Sequence, residues 1–326
     1  MSDSAPSPAE APGKPRDAES PAVRPRPAWL RALGRQDPPA RFDTGGHVWR
    51  RVHIYKHDAF AATALYARAD DPAVRAVGKF SRRQPAFGVP FAWLGRWFHE
   101  REQAVYQRMQ DHPGVPATLG EIVVDGQAWP SAGARLYVEG HPLAEGERPH
   151  DAFFPALESL IRVFHERGVA IVDLHKRDNI LVGDDGEPHL IDFQISLVSP
   201  TKIKTRGVGR WLRRLDPRVW WMPSAQRADL YHLMKNWRRH RPDQLTAEQL
   251  DLGRYRPASI RVWRKLVWPI HAGRRRLFVA LGFRTGKGAP ETEVAPDVRA
   301  ADVRPEPSTS APPLTPSSPA GPKLPA

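Results

Sequence analysis

The tightest constraint on this chain's fold lies in residues 169–197, VAIVDLHKRDNILVGDDGEPHLIDFQISL. The apolar runs here are too short for helices. ILV and HLIDF flank Asp184-Asp185-Gly186, a composition suited to a tight hairpin turn. Val169–Val172 reads as another strand-like run, closed by Asp173. Just upstream, DAFFPALESLIRVFHERG (151–168) sets Phe154, Leu157, Leu160, Ile161 and Phe164 on one helical stripe, with Gly168 as its stop. A short hairpin must therefore pack beside an amphipathic helix.

The preceding residues read mainly as strands: 47–55, 62–69, 73–82, 121–126 and 134–140. One helix, 97–112, interrupts them, with Phe98, Val105 and Met109 near a 3.6-residue repeat. Most of the chain beyond residue 150 reads as helical. Strands first and helices later give an α+β chain of two lobes.

Proline and charge set the boundaries. Residues 1–27 hold seven prolines and 289–326 hold ten, so 17 of the 35 lie in 65 residues. Such segments bury too little apolar surface to offset chain entropy, and they read as disordered. The expected division is a tail at 1–40, a folded body at 41–286 and a tail at 287–326. The body divides into a strand-rich lobe at about 41–135 and a helical lobe at about 140–286. The chain's formal charge is +13, but residues 201–288 alone carry 22 Lys+Arg against 5 Asp+Glu. The basic excess belongs to the second lobe.

The absence of cysteine excludes a disulfide framework, a thiol nucleophile and a Cys-ligated metal. No apolar run approaches the roughly 20 residues of a membrane helix, and MSDSAPSPAE lacks a signal-peptide pattern. A cytoplasmic protein is expected, at most peripheral at the inner face of the membrane.

The densest polar cluster on an apolar framework is Asp173, His175, Lys176, Asp178, Asn179 and Asp192. A hairpin from Asn179 to Asp192 brings its two ends together, with Asp173 nearby. Hard oxygens converging in this way suit Mg²⁺, which takes one or two protein oxygens plus substrate phosphates. A remaining carboxylate is then free to orient or deprotonate a hydroxyl. Any one of these acids alone reads equally well as a solvated strand cap.

VDLHKRDNILV followed by LIDFQ resembles the catalytic loop and metal hairpin of the protein-kinase-like superfamily. With Leu-His after Asp173, it looks most like the branch that phosphorylates small molecules and lipopolysaccharide. The resemblance implies a two-lobed fold, with a small antiparallel sheet in the N-lobe and a mainly helical C-lobe. It also implies ATP and Mg²⁺ as cofactors. Asp173 becomes the residue that orients or accepts the substrate hydroxyl proton, with Lys176 a second catalytic candidate. Asn179 and Asp192 become metal ligands, with Asp178 a rival to Asn179. Lys79 in AVGKF is the strand lysine that meets phosphates, Glu102 its helix partner, and Tyr137, Val138 and Glu139 the backbone that meets adenine. His175 and Asp229, the latter in RADLYHLMK, take supporting roles.

Four departures accompany the match. Ile171 stands where the family has His, and Gln194 where it has Gly. Five residues rather than four separate Asp173 from Asn179. The phosphate loop, KHDAFAA (56–62), has no glycine, which leaves Lys56 or His57 to contribute.

Trp211, Trp220, Trp221, Trp237, Trp263 and Trp268 lie among the C-lobe arginines. They suit an anionic substrate or an anionic membrane surface, with 261–278 as an amphipathic candidate carrying Arg274, Arg275 and Arg276. Core tryptophans beside a solvated charged face are the plainer alternative. No nucleic-acid-binding signature accompanies the charge. The function expected is phosphoryl transfer from ATP to a hydroxyl of a glycan, lipid or anionic small molecule. A Ser/Thr protein kinase and a pseudokinase that binds nucleotide or membrane are the alternatives. The oligomeric state is left open.

Overall fold

A computed structural model describes residues 27–85, 90, 92–199, 217–255 and 257, with isolated positions between 272 and 279. Most of both tails, Trp211, Trp263, Trp268 and nearly all of 261–278 lie outside the described residues.

The first lobe is an antiparallel barrel. Its strands are β1 (Arg41–Thr44), β2 (His47–His57), β3 (Ala61–Arg68), β4 (Arg75–Ser81), β5 (Thr118–Val124) and β6 (Gln127–Leu136). They run in the order β1-β2-β3-β4-β6-β5 and close where Asp43 pairs with Val123. The strand-rich expectation holds, but β1 is additional and converts the open sheet into a closed one. It is four residues long, and only Phe42 and Thr44 are buried. That signal is too short to stand out in sequence. Phe42, Trp49, Tyr66 and Phe80 fill the barrel.

Residues 27–40 are not the free tail expected from proline content. Ala32 and Leu33 are buried. Ala32 N–H donates to Asp58 O at 2.7 Å, and Arg83 N–H donates to Ala32 O at 3.0 Å. Prolines here supply carbonyl acceptors instead of disorder, as Pro39 O does for the Tyr66 hydroxyl at 2.9 Å. The second lobe holds α2 (Phe153–Glu166), the short strands β7 (Gly140–Pro142) to β11 (Leu197–Val198), and α3 (Pro217–His240). The α2 stripe is buried at every expected position, joined by Phe153. Gly168 takes φ +70°, a left-handed stop that glycine adopts without steric cost.

The predicted hairpin is present as β9 (Ile180–Gly183) and β10 (Pro188–Leu190), paired Val182 to Pro188 through Ile180 to Leu190. Helix α1 (Ala92–Met109) lies between the lobes, with Glu102, Val105, Tyr106 and Met109 buried. It approaches the barrel closely because residue 95 is glycine. A Cβ there would stand 2.2 Å from the Arg82 carbonyl oxygen. The two-lobed α+β architecture, barrel above and helices below, thus brings α1, β4 and the hairpin to one cleft.

Candidate active site

The cleft between the lobes is open to solvent. Lys56, Lys79, Glu102, Arg135, Asn179 and Asp192 are among its lining residues. Lys79 comes from β4 and Glu102 from α1. Lys79 Nζ donates to Glu102 Oε1 at 3.0 Å and to Asp192 Oδ1 at 2.7 Å. Residues 113 apart in sequence thus meet at one ammonium.

Burial disfavours the charge on Lys79, but Asp192 and Glu102 outweigh it and hold the ammonium protonated. Burial likewise pushes Asp192 up, yet Lys79 draws it well below the ordinary carboxylate range. For Glu102 burial prevails over Lys79, and its carboxyl is raised. Asp192 has φ +63°, uncommon for a residue with a side chain. Its neighbour Phe193 is fully buried, with ring centroids 5.1 Å from Tyr106 of α1 and 5.3 Å from Phe164 of α2. The Phe193 anchor ties both helices to the Asp192 backbone.

Asp173 is buried beside the hairpin. Lys176 Nζ donates to its Oδ2 at 2.6 Å, and His175 Nδ1 stands 3.0 Å from Oδ1. Burial raises its pKa, but His175 and Lys176 more than offset this and keep it ionised. Residues Arg177–Asn179 form one 3-10 turn. Asn179 Nδ2 donates to the Asp173 carbonyl at 3.3 Å. That bond uses the amide nitrogen and leaves the oxygen of Asn179 for other partners.

Asp229, on α3, is fully buried and accepts from Ile171 N–H at 2.8 Å and Val172 N–H at 2.7 Å. His165 Nε2 stands 3.1 Å from the same carboxylate. Burial raises the Asp229 pKa despite these partners. Val172 has φ +68°, so the carboxylate holds a strained turn just before Asp173.

Two further braces were missed in the sequence. Ser196 Oγ donates to Ile171 O at 3.0 Å, and Asn236 Nδ2 to Leu174 O at 3.1 Å. Asn236 lies seven residues after Asp229, on the same face of α3. That spacing was the available signal. Arg135, buried on β6, also lines the cleft.

The strand expected over 134–140 ends at Leu136, and Tyr137, Val138 and Glu139 form the connection between β6 and β7. Tyr137 N–H donates to Arg75 O at 2.9 Å, and Glu139 O accepts from Asp184 N–H at 2.9 Å.

The 56–62 loop, expected to meet phosphate, departs most from expectation. Asp58 Oδ1 accepts from Phe60 N–H at 2.7 Å and Ala61 N–H at 2.9 Å, while Lys56 Nζ lies 2.7 Å from Oδ2. A carboxylate of the loop itself thus holds two of the loop's amides. His57 does not turn to the cleft. Leu33 N–H donates to its Nε2 at 3.1 Å, and Arg31 Nη2 stands 2.7 Å from Nδ1. Burial and Arg31 lower its pKa to about 4.

The donor set suits a hard divalent cation. Asp192 is ionised and partly exposed to the cleft, and the Asn179 oxygen and the Asp178 carboxylate lie on the same wall. Among the described residues no three His, Cys, Asp or Glu side chains form a metal cluster. Such a cation would therefore need ligand oxygens from a phosphate as well, as Mg²⁺ commonly does. Of the C-lobe tryptophans, Trp237 is core, stacked on Phe154 at 5.5 Å, whereas Trp220 and Trp221 are exposed. No helix among the described residues is long and apolar enough to cross a membrane.

No protein-family model matches the chain, and no curated protein matches it. Among solved structures it is similar to the Rio2 kinase from Chaetomium thermophilum, at 12% identity over 62% of this chain and 63% of that one, with a TM-score of 0.42. It is similar to the CAK complex of Chaetomium thermophilum bound to ATP-gamma-S at 20% identity, over 48% and 49%, with a TM-score of 0.37. It is similar to the Cydia pomonella granulovirus kinase at 14% identity, over 47% and 56%, with a TM-score of 0.34. The chain spans less than two thirds of the length of each of these chains.

Proposed function

We propose that this chain is an Mg²⁺-dependent phosphotransferase that uses a nucleoside triphosphate, ATP in the first instance. The acceptor is a hydroxyl on a glycan, lipid or anionic small molecule. The observation that carries this reading is the meeting of Lys79, Glu102 and Asp192 across the cleft, with Asp173 and Asn179 beside them.

Lys79 offers a fixed ammonium to phosphate oxygens, and Glu102 holds it in place. Asp173 accepts the hydrogen bond of the incoming hydroxyl and takes its proton as the new O–P bond forms and the bond to the leaving diphosphate breaks. Lys176, on the same carboxylate, is suited to neutralise charge on the transferring group. Asn179 and Asp192, with Asp178 the rival, would hold Mg²⁺, which neutralises phosphate charge when bound. The basic C-lobe supports an anionic acceptor and placement near an anionic membrane surface.

The test is single-turnover transfer from labelled ATP with Mg²⁺. Asp192→Ala should lower transfer by about 1,000-fold or more, since it removes a metal ligand and the partner of Lys79. Transfer at the wild-type rate would sink the assignment. A pseudokinase is the second reading, favoured by the loop amides that Asp58 already occupies. Thermal shift with ATP separates the two. Stabilisation that Mg²⁺ enhances supports the enzyme, and nucleotide binding without transfer supports the pseudokinase.

A further inference from the structure

One face of α3 follows the loop that carries Asp173. Asp229 takes the Ile171 and Val172 amides, the His232 ring centroid lies 5.7 Å from that of His175, and Asn236 donates to Leu174 O. Asp229, His232, Asn236 and Arg239 recur at three- and four-residue spacing, which sets them along one side of a helix. The helix therefore runs beside residues 171–177, and Arg239 falls at the end where Arg177 stands. Arg177 directly follows Lys176, whose ammonium is held on Asp173 Oδ2.

The two arginines meet at Glu145, in the connection between β7 and α2. Arg177 Nη2 donates to Glu145 Oε2 at 3.4 Å, and Arg239 Nη2 donates to Oε1. Among the described residues Glu145 is the only acid paired with either guanidinium, so two cations share one negative charge. Arg177 Nη1 is buried and has no hydrogen-bond partner. A buried donor without an acceptor is costly to keep. The Glu145 side chain, by contrast, is 68% exposed, and exposed ion pairs are held weakly. Moving it aside frees two planar forks for one oxyanion, the group that arginine grips bidentately.

We propose that Arg177 and Arg239 bind a phosphomonoester group on the acceptor, and that Glu145 occupies their site until the acceptor arrives. The inference rests on the phosphotransferase reading and names its acceptor class, a molecule that bears both a free hydroxyl and a phosphomonoester. Such a group carries about −1.5 to −2 charges at pH 7, so it balances both arginines where Glu145 balances one. It also supplies acceptor oxygens for the buried Nη1 of Arg177. A carboxylate in its place would only restore the charge that Glu145 already provides.

NMR titration of the full chain with glycerol 3-phosphate, glycerate and glycerol provides the test, since all three keep neighbouring hydroxyls and differ in the charged group. Glycerol 3-phosphate should bind about tenfold tighter than glycerate, and glycerol should not bind. Arg177→Gln and Arg239→Gln should each weaken glycerol 3-phosphate binding by about tenfold. Arg239, whose side chain is half exposed, serves if the Arg177 variant does not fold. Glu145→Gln should tighten binding by about threefold. Glycerate bound as tightly as glycerol 3-phosphate, an affinity that Arg239→Gln leaves unchanged, or weaker binding in a folded Glu145→Gln protein would overturn the proposal. Parallel titration with Mg·ATP separates it from the reading on which it rests. Mg·ATP binding without glycerol 3-phosphate binding strikes the arginine site alone. Glycerol 3-phosphate binding without Mg·ATP binding strikes the phosphotransferase reading, and the acceptor role of the arginines with it.

Discussion

Two loops of the cleft are held by the same device, a carboxylate that accepts from two successive backbone amides. Asp229 takes Ile171 and Val172 just before Asp173, and Asp58 takes Phe60 and Ala61 between β2 and β3. The surroundings differ. Asp229 arrives from a helix nearly 60 positions away and is fully buried. Asp58 belongs to its own loop, in the manner of an Asx turn, and its counter-ion Lys56 lines the cleft. Burial prevails at Asp229 and raises its pKa. At Asp58 burial also pushes upward, but Lys56 and the two amides outweigh it and lower the pKa. One loop is locked by the tertiary fold. The other is locked by a carboxylate of its own short sequence.

Removing each carboxylate breaks the comparison at its two ends. Asp229→Ala leaves two amides of a strained, mostly buried turn unpaired and deprives His165 of its partner. The expected cost is about 3 kcal/mol, from two groups at roughly 1–3 kcal/mol each with partial relaxation. Single-turnover transfer should fall by about 100-fold, because the Asp173 position depends on that turn. Denaturant melts and transfer rates check both. A variant as stable as the wild type would show that the two carboxylates are equivalent local caps.

The same contrast explains what sequence could reveal. The hairpin and its acids were legible because strand length, turn composition and polar ends all lie within residues 169–197. Lys79 and Glu102 were implied by the family resemblance, although their contact depends on the barrel bringing β4 against α1. Asp229 was legible as a helical acid, but its two amide partners depend on tertiary placement. The barrel closure was not readable, because β1 is four residues long and meets β5 at a single pair. Residues 27–40 were misread because proline content predicts chain entropy and says nothing of the docking of Ala32 and Leu33. Asp58 was invisible because in sequence it looks like any loop acid. Arg135 was passed over because one arginine in a strand carries no pattern.

The acid limb of stability sharpens the comparison further. His57, His99 and His232 have pKa values lowered to about 4, chiefly by burial. The unfolded chain binds protons near pH 6.5, where the folded chain does not. Their contribution is therefore fully present above about 6.5 and is lost as pH falls toward 4. Asp58, with its lowered pKa, adds loss only below its ordinary value of 3.8. Asp229 acts with the opposite sign, since protonation of its raised carboxyl relieves burial as pH falls. Melting temperature followed from pH 7 to pH 4 should decline, and His57→Asn should flatten part of that decline. An unchanged slope in the variant would mean that His57 is not held neutral between Arg31 and Leu33.

The smallest effect belongs to Asp58 itself. Asp58→Ala removes a local cap, for about 1 kcal/mol of stability, far less than the loss expected at Asp229. It also frees the two loop amides and Lys56, which lines the cleft. Exposed or partly exposed ion pairs contribute roughly 0.2–1 kcal/mol, so nucleotide should bind about threefold tighter once this pair is gone. Titration of wild type and variant with the same Mg-nucleotide, at low and at moderate salt, measures the change. Tighter binding that fades with salt identifies Asp58 as an occupant of the phosphate position. Weaker binding would mean instead that Asp58 shapes the loop for the nucleotide, as Asp229 shapes the turn before Asp173, and the two carboxylates would then differ in location alone.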